Sequence, residues 1–338
     1  MTVSPEPLHL GARIEDAIQG VRERWGRRKG LVPTIVPFTG YGGTGWVRVL
    51  GRVVLRRPPA PGERADEFIG IRGWRSFTTT HVAGVDVTVS SGRVKRTVRS
   101  DRGGVIDAHI EVTLPPGRHT ISLAVDGGRP VEAEVFIVDE SVQFGLISDI
   151  DDTVMVTALP RPFLAAWNTF VLDEHARTPV AGMSVLYDRL TRVHPGMPVI
   201  YLSTGAWNVV PTLARFLGRN LYPRGTLLLT DWGPTHDRWF RSGPQHKRTQ
   251  LERLAAEFPT MKWLLVGDDG QHDPKLYAEF SEAHPQNVAA VAIRQLTRGQ
   301  AVLAGGRSDT EPHGGGIPWV YAPDGAGLSA RLTELGLL

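Results

Sequence analysis

Three carboxylates fall within four positions of the stretch "GLISDIDDTV", residues 145–154: Asp149, Asp151 and Asp152. Asp149 and Asp151 stand two apart, so an extended chain carries both on one side, and a loop turning over a sheet edge can aim both at one point. Two ionised carboxylates held close need a cation or a proton to relieve their repulsion. Mg²⁺ suits such a pair, being a hard ion that takes oxygen ligands through few carboxylates. Further along, "VIYLSTGAW" offers Ser203 and Thr204, followed by Gly205 and Trp207. "SGPQHKRTQLERL" offers Lys247 beside His246, and "WLLVGDDGQHDP" ends an apolar run in Asp268 and Asp269, with Asp273 after them. Each has a plainer use when taken alone: aspartates and serines cap helices and make turns, and lysines sit on surfaces. The ordered set, however, is what phosphoryl transfer through a carboxylate requires. It supplies a nucleophile, an acid/base partner, groups to hold phosphate and a metal site.

These residues need a scaffold that collects them. After about residue 140 the pattern alternates strand and helix: strands fit "FGLISDI", "MPVIYLST", "GTLLLTD", "KWLLVGDD" and "NVAAVAIR", and helical periods fit 181–194, 206–219, 246–258 and 273–283. Strands apolar on both faces and separated by helices predict an α/β domain with a doubly wound parallel sheet. In such sheets the site lies at the carboxyl ends of the strands, where every candidate above is placed. A helix after Ser203 and Thr204 would add N-terminal amides that can hold an anion.

The preceding region, 31–140, has a different texture. Short alternating or β-branched runs ("TIVPFTGYGG", "GWVRVLGRVVL", "HVAGVDVTV", "IDAHIEVTL", "HTISLAV", "VEAEVFIV") are broken by Gly and Pro, which predicts an antiparallel sandwich or barrel domain. "GYGGTGW" lacks the Lys-Ser/Thr ending of a phosphate loop and is read as a turn before a strand. Residues 1–30 contain an amphipathic helix with Leu10, Ile14, Ile18, Val21 and Trp25 at steps of three and four, ending in Arg24, Arg27, Arg28 and Lys29. That helix either docks on its own domain or lies against an anionic membrane face. Residues 301–338 read as a loop and a short helix.

The 338-residue chain is 41% hydrophobic and 22% charged, within the globular range, and its net charge of +3 gives no warrant for nucleic acid. Cys is absent, which excludes disulfides, thiolate nucleophiles and thiolate metal sites. The first residues lack the layout of a signal peptide, and no run of about 18 apolar residues occurs. The expectation is a soluble cytoplasmic protein, with peripheral membrane contact through the first helix as the open alternative.

"ISDIDDTV", "YLSTGAWNVVPTL", "HKRTQLERL", "FPTMKWLLVGDDGQHDPKLYAEF" and "VAAVAIRQL" resemble the catalytic domain of the phosphatidate phosphatases first known as actin patch proteins, of the haloacid dehalogenase (HAD) superfamily. The resemblance covers about 140–300 and, more loosely, "TIVPFTGYGGTGWVRVLGRVVL". It implies a HAD-like phosphatase domain over 141–300 with a small cap insertion at about 154–184. It implies Asp149 as the nucleophile and Asp151 as the acid/base, and it makes Ser203 and Lys247 the holders of the phosphoryl oxygens. Mg²⁺ would be bound by Asp268 with Asp149 and the Asp151 carbonyl, Asp152 would be a bystander, and Thr153 would brace the loop. Where the family reads Gly-Asp-Ser-Gly, this chain has Gly267-Asp268-Asp269-Gly270, so either Asp269 joins the metal shell or Asp273 has that role.

Leu164, Trp167, Phe170 and Val171 fall at helical steps within the insertion, where they either pack on the core or form an apolar cap suited to acyl chains. The irregular segment "DWGPTHDRWFRSGPQHK" has the character of a lid and brings His236, Arg238, Arg241 and His246. Thr204, Gly205, Trp207, Arg238 and His246 are the candidates for substrate contact. The motifs specify phosphoryl transfer; phosphatidate as the substrate rests on the resemblance. A soluble phosphomonoester is the alternative within the same chemistry, and a non-catalytic lipid- or protein-binding module is the alternative outside it.

Overall fold

A computed structural model describes residues 10–58, 80–156, 178–230, 243–270, 272–303, 306 and 316–338. The chain divides into two compact units. One comprises Met1–Ile137, Ala206–Asn208 and Thr230–Ser242; the other comprises Val138–Gly205, Val209–Leu229 and Gly243–Leu338.

The first unit carries helix α1 (Leu10–Arg28) and strands β1 (Val32–Gly43), β2 (Trp46–Arg56), β3 (Asp86–Ser91), β4 (Val94–Arg99), β5 (Val105–Glu111), β6 (Gly117–Val125) and β7 (Val131–Ile137). They form one seven-stranded sheet in the order β4-β3-β6-β7-β1-β2-β5. Its edge strands β4 and β5 approach each other, so the sheet curls toward a barrel. The pairing is antiparallel as expected, except that β1 runs parallel to β7. Alternate residues such as Val47, Val49, Val87, Ile121, Leu123, Ala133 and Val135 fill the interior. β4, "VKRTVR", escapes a hydrophobicity reading because it is an edge strand whose side chains are mostly exposed. The Gly-rich segment lies in β1 and in the hairpin turn leading to β2.

The second unit begins with β8 (Phe144–Asp149), β9 (Met155–Val156) and β10 (Thr178–Pro179), followed by α2 (Met183–Val193), β11 (Val199–Ala206), α3 (Val210–Arg219) and β12 (Thr226–Thr230). It continues with α4 (Gly243–Glu257), β13 (Lys262–Asp268), α5 (Asp273–Ala283), β14 (Val288–Arg294), α6 (Arg298–Leu303), β15 (Trp319–Ala322) and α7 (Gly325–Glu334). The sheet order is β12-β11-β8-β13-β14-β15. The pairs β11·β8, β8·β13, β13·β14 and β14·β15 are all parallel. From the central β8 the chain builds outward through β11 and β12, then returns to the other side of β8 with β13. That reversal is the switch point at which open α/β sheets place their ligands, and it separates the ends of β8 and β13. Trp263, Leu264, Leu265 and Val266 of β13 are wholly buried, as a central strand covered on both faces requires.

The final segment is more than a loop and a helix. Trp319–Ala322 adds a sixth strand against β14, and α7 buries Leu328 and Leu332 completely. Asp324 caps α7 by accepting from the Gly327 amide at 2.9 Å, Gly325 N donates to Ala181 O at 2.9 Å, and Arg189 of α2 donates to Ser329. A four-residue strand leaves too short an apolar run to be recognised from periodicity. The expected insertion is flanked by β9 and β10, which pair antiparallel; its residues 157–177 lie outside the described residues.

Because α7 belongs to the core of the second unit, Leu328→Ala should cost about 2–5 kcal/mol in urea unfolding, as for a buried leucine elsewhere. A dispensable tail would show no shift in midpoint.

Candidate functional site

The parallel register aligns the carboxyl ends of four strands. Asp149 closes β8 beside Leu202 of β11, so Ser203 follows one residue past that pairing; Asp268 closes β13 opposite Arg294, the last residue of β14. After Asp149 the chain turns tightly: Val154 N and Met155 N both donate to Ile150 O, and Asp152 N donates to Met155 O at 2.8 Å. Asp152 takes the left-handed conformation with φ 57°, which Asp tolerates better than most residues. The turn presents Asp151 toward β11, where Ser203 Oγ donates to Asp151 Oδ2 at 3.2 Å and accepts from Gly205 N at 3.0 Å.

α4 delivers Lys247 into this cleft. Its buried ammonium donates to Asp149 Oδ1 at 2.7 Å and to Asp273 Oδ1 at 2.6 Å. Burial works against the ammonium, yet the two carboxylates more than offset that and hold Lys247 well above the usual lysine range. Asp273 opens α5, and its side chain lies against Gly267, where a Cβ would come within 2.6 Å of Asp273 Oδ2; this explains a glycine before the acidic pair. Asp268 Oδ1 accepts from Gly270 N at 2.7 Å. Asp269 is directed elsewhere: its Oδ1 accepts from Leu296 N at 2.8 Å, and its amide donates to Arg294 O, tying the β13 loop to the chain after β14.

Asp149, Asp268 and Asp273 bring one carboxylate oxygen each to within 4.8 Å of one another, all three buried. Fully ionised, the three carboxylates would exceed the Lys247 ammonium by two negative charges. Asp273 Oδ2 is buried without a hydrogen-bond partner among the described residues. Burial, then the neighbouring Asp273, push Asp268 up to about 8 against the pull of Lys247, and burial likewise lifts Asp149 well above the carboxylate range despite Lys247. An all-oxygen donor set with excess negative charge and an orphaned oxygen fits a divalent metal ion.

Thr204 packs on the start of α4, where a Cβ at Gly243 would come within 2.6 Å of its Cγ2. His246 is buried beside Lys247 on α4. Trp207, in the 3₁₀ turn before α3, is buried within the first unit and stacks on Phe38 with ring centroids 5.2 Å apart. Arg238, with His236 and Arg241, lies outside the described residues.

Two residues that the sequence reading did not assign hold the turn after β8. Arg294 is buried; it donates from Nη1 to the Asp152 carbonyl, from Nε to Pro323 O at 3.3 Å and from Nη2 to Gln300 Oε1 at 3.1 Å. Tyr222 OH donates to Val154 O at 2.9 Å. Thr153, expected to brace the turn, is buried with a hydroxyl that has no hydrogen-bond partner among the described residues. The signal available in sequence was an Arg ending an otherwise apolar strand.

Residues 144–295 match the family described as the phosphatidate phosphatase APP1 catalytic domain. The match runs from the first residue of β8 to the residue after β14 and includes every described site residue above. The chain is 24% identical over 178 residues to the phosphatidate phosphatase APP1 of Saccharomyces cerevisiae, covering 52% of this chain and 30% of that protein. It is 25% identical over 165 residues to an uncharacterized protein of Schizosaccharomyces pombe, covering 48% and 27% respectively. The chain thus spans less than a third of the length of these curated relatives. Among solved structures, an uncharacterized protein from Listeria monocytogenes serotype 4b aligns at TM-score 0.36 and 11% identity, over 58% of this chain and 99% of that one.

A carboxyl group that titrates near 8 when folded and near 3.9 when unfolded keeps its proton longer in the folded state. Its stabilising effect is present below the unfolded value and is lost as pH rises through that window. With divalent cations chelated, the melting temperature should therefore fall from about pH 5 to about pH 8, and added Mg²⁺ should raise it more at the higher pH. A melting temperature that is flat with pH, and unmoved by Mg²⁺, would contradict this site. Arg294→Met should lower turnover by about tenfold or more while KM changes little, since the lost contact holds the turn that carries Asp151; steady-state kinetics separates the two.

Proposed function

We propose that this chain is a Mg²⁺-dependent phosphatase of HAD-like architecture that hydrolyses a lipid phosphomonoester, phosphatidate, to diacylglycerol and phosphate through an aspartyl-phosphate on Asp149. The observation that carries the proposal is the buried Asp149 carboxylate, fixed by Lys247 at the strand end where β8 and β13 diverge. The match of residues 144–295 to a phosphatidate phosphatase catalytic domain supports the choice of substrate.

Asp149 Oδ attacks phosphorus as the ester oxygen leaves, and the leaving alkoxide takes the proton of Asp151. Asp151, now ionised, accepts a proton from water, which attacks the phosphorus of the acyl phosphate and frees Asp149. Ser203 Oγ, which touches Asp151, keeps that carboxyl on the β11 side of the turn and lies ready to donate to a phosphoryl oxygen. Lys247 offsets charge on the transferring group while holding the nucleophile in line, and Asp273 holds the ammonium from behind. Mg²⁺, which Asp149, Asp268 and Asp273 would hold, supplies Lewis-acid polarisation of the phosphoryl oxygens. Asp269, bonded to the Leu296 amide, is a structural tie in this scheme.

Phosphate release from phosphatidate in mixed micelles, with Mg²⁺ and with chelator, tests the assignment. Asp149→Asn should abolish it, and Asp151→Asn should lower kcat by about 10²–10⁴-fold. Full activity in either variant would defeat the mechanism; turnover of soluble phosphomonoesters with none on phosphatidate would move the substrate to the soluble class.

A further inference from the structure

The amphipathic helix α1 sits on its own sheet by an unexpected face. Among the described side chains of α1 the buried position is Gly26, whose missing Cβ would fall 2.7 Å from Leu55 Cδ1 of β2, and Leu31 N donates back to Gly26 O. The apolar stripe continues elsewhere: Val21 is 58% exposed and Trp25 60% exposed. At about 100° per residue, Val21 and Trp25 lie opposite Gly26 and Glu23.

Cations border this exposed stripe on both sides. Arg22 and Lys29 fall along one flank and Arg24 and Arg28 along the other, all exposed. Arg27 is paired with Glu23 at 2.9 Å on the side turned away. The Lys29 ammonium stands 3.4 Å above the Trp25 ring, joining charge and indole in one element. Basic residues in a last turn are favourable to the helix itself by about 0.3–1 kcal/mol, but that accounts for neither the outward Trp nor the cations a turn earlier. An indole and a valine between two rows of cations match an interface that is apolar beneath and anionic at its surface. Among the described residues no helix is long and apolar enough to cross a membrane.

We infer that α1 is a peripheral docking element for an anionic phospholipid surface, with Trp25 and Val21 entering the acyl boundary and Arg22, Arg24, Arg28 and Lys29 meeting the headgroup phosphates. The occupant is thus a lipid bilayer and not a second copy of the chain. This docking goes beyond the proposed hydrolysis, because it depends on the charge of the surface and not on any lipid being cleaved.

Sedimentation of the full chain with vesicles tests it without turnover. Phosphatidylcholine vesicles containing about a third phosphatidylglycerol should carry the protein down, neutral phosphatidylcholine vesicles should not, and added salt should release it. Replacing Arg22, Arg24, Arg28 and Lys29 by Ser should weaken binding about fivefold per charge removed. The pair Val21→Ser and Trp25→Ser should weaken it at least about tenfold while leaving the melting temperature unchanged, since both side chains project from the fold. Asp149→Asn should bind as the parent does, which separates docking from catalysis. Equal binding to neutral vesicles, parental binding by either helix variant, or a dimer in solution that Trp25→Ser dissolves would each overturn the inference.

Discussion

The site depends on one ammonium held between two carboxylates in a place that excludes water. Lys247 comes from α4, Asp149 from the end of β8 and Asp273 from the start of α5, so the contact joins three separate elements of the second unit. Breaking such a pair leaves an uncompensated buried charge, at a cost of about 3–5 kcal/mol, which means the unit cannot lose its lysine quietly. The same burial that makes the contact expensive to break also keeps the Asp149 oxygen fixed at the point where the strand order reverses.

Around that contact the remaining groups divide the labour by strand. β8 supplies the carboxylates and the turn, β11 supplies Ser203 to orient Asp151, β13 supplies Asp268, and β14 supplies Arg294, which reaches back across the sheet to the turn after β8. Charge is distributed in the same way. When ionised, the acidic set at β8, β13 and α5 carries more negative charge than the Lys247 ammonium offsets, while the guanidinium at the end of β14 donates its hydrogen bonds to neutral oxygens, the carbonyls of Asp152 and Pro323 and the side chain of Gln300, and acts on Asp268 through charge alone. A divalent cation at the acidic set would complete the balance without displacing any hydrogen bond of Arg294.

Much of this was legible in the chain itself. The apolar runs ending in Asp149, Ser203 and Asp268 identify strand ends, and a parallel sheet gathers strand ends at one edge, so the site could be assembled before any coordinates. The choice between Asp269 and Asp273 was not legible, because it turns on which carboxylate the backbone aims inward. A five-residue separation in sequence places Asp273 at the mouth of α5, against Gly267 and facing Lys247, whereas Asp269, adjacent to the ligand candidate, turns away to the Leu296 amide. The β15 strand and the parallel β1·β7 pair were missed, and the choice between the two readings of α1 was left open, for a common reason. Each depends on long-range pairing or docking that local periodicity does not encode.

The grip of Arg294 on the turn after β8 has a consequence for how this protein can diverge. The guanidinium donates to the main-chain carbonyl of residue 152, and the Asp152 carboxylate adds a charge attraction to that hydrogen bond. Any residue that accepts the left-handed conformation can keep the hydrogen bond, so related chains that exchange Asp152 for Asn or Gly should keep the arginine for the carbonyl while losing the charge attraction. The hydrogen-bonded part of this coupling would then be invisible to covariation, since one of its partners is a group that every amino acid carries, and only the charge attraction would leave a trace in sequence.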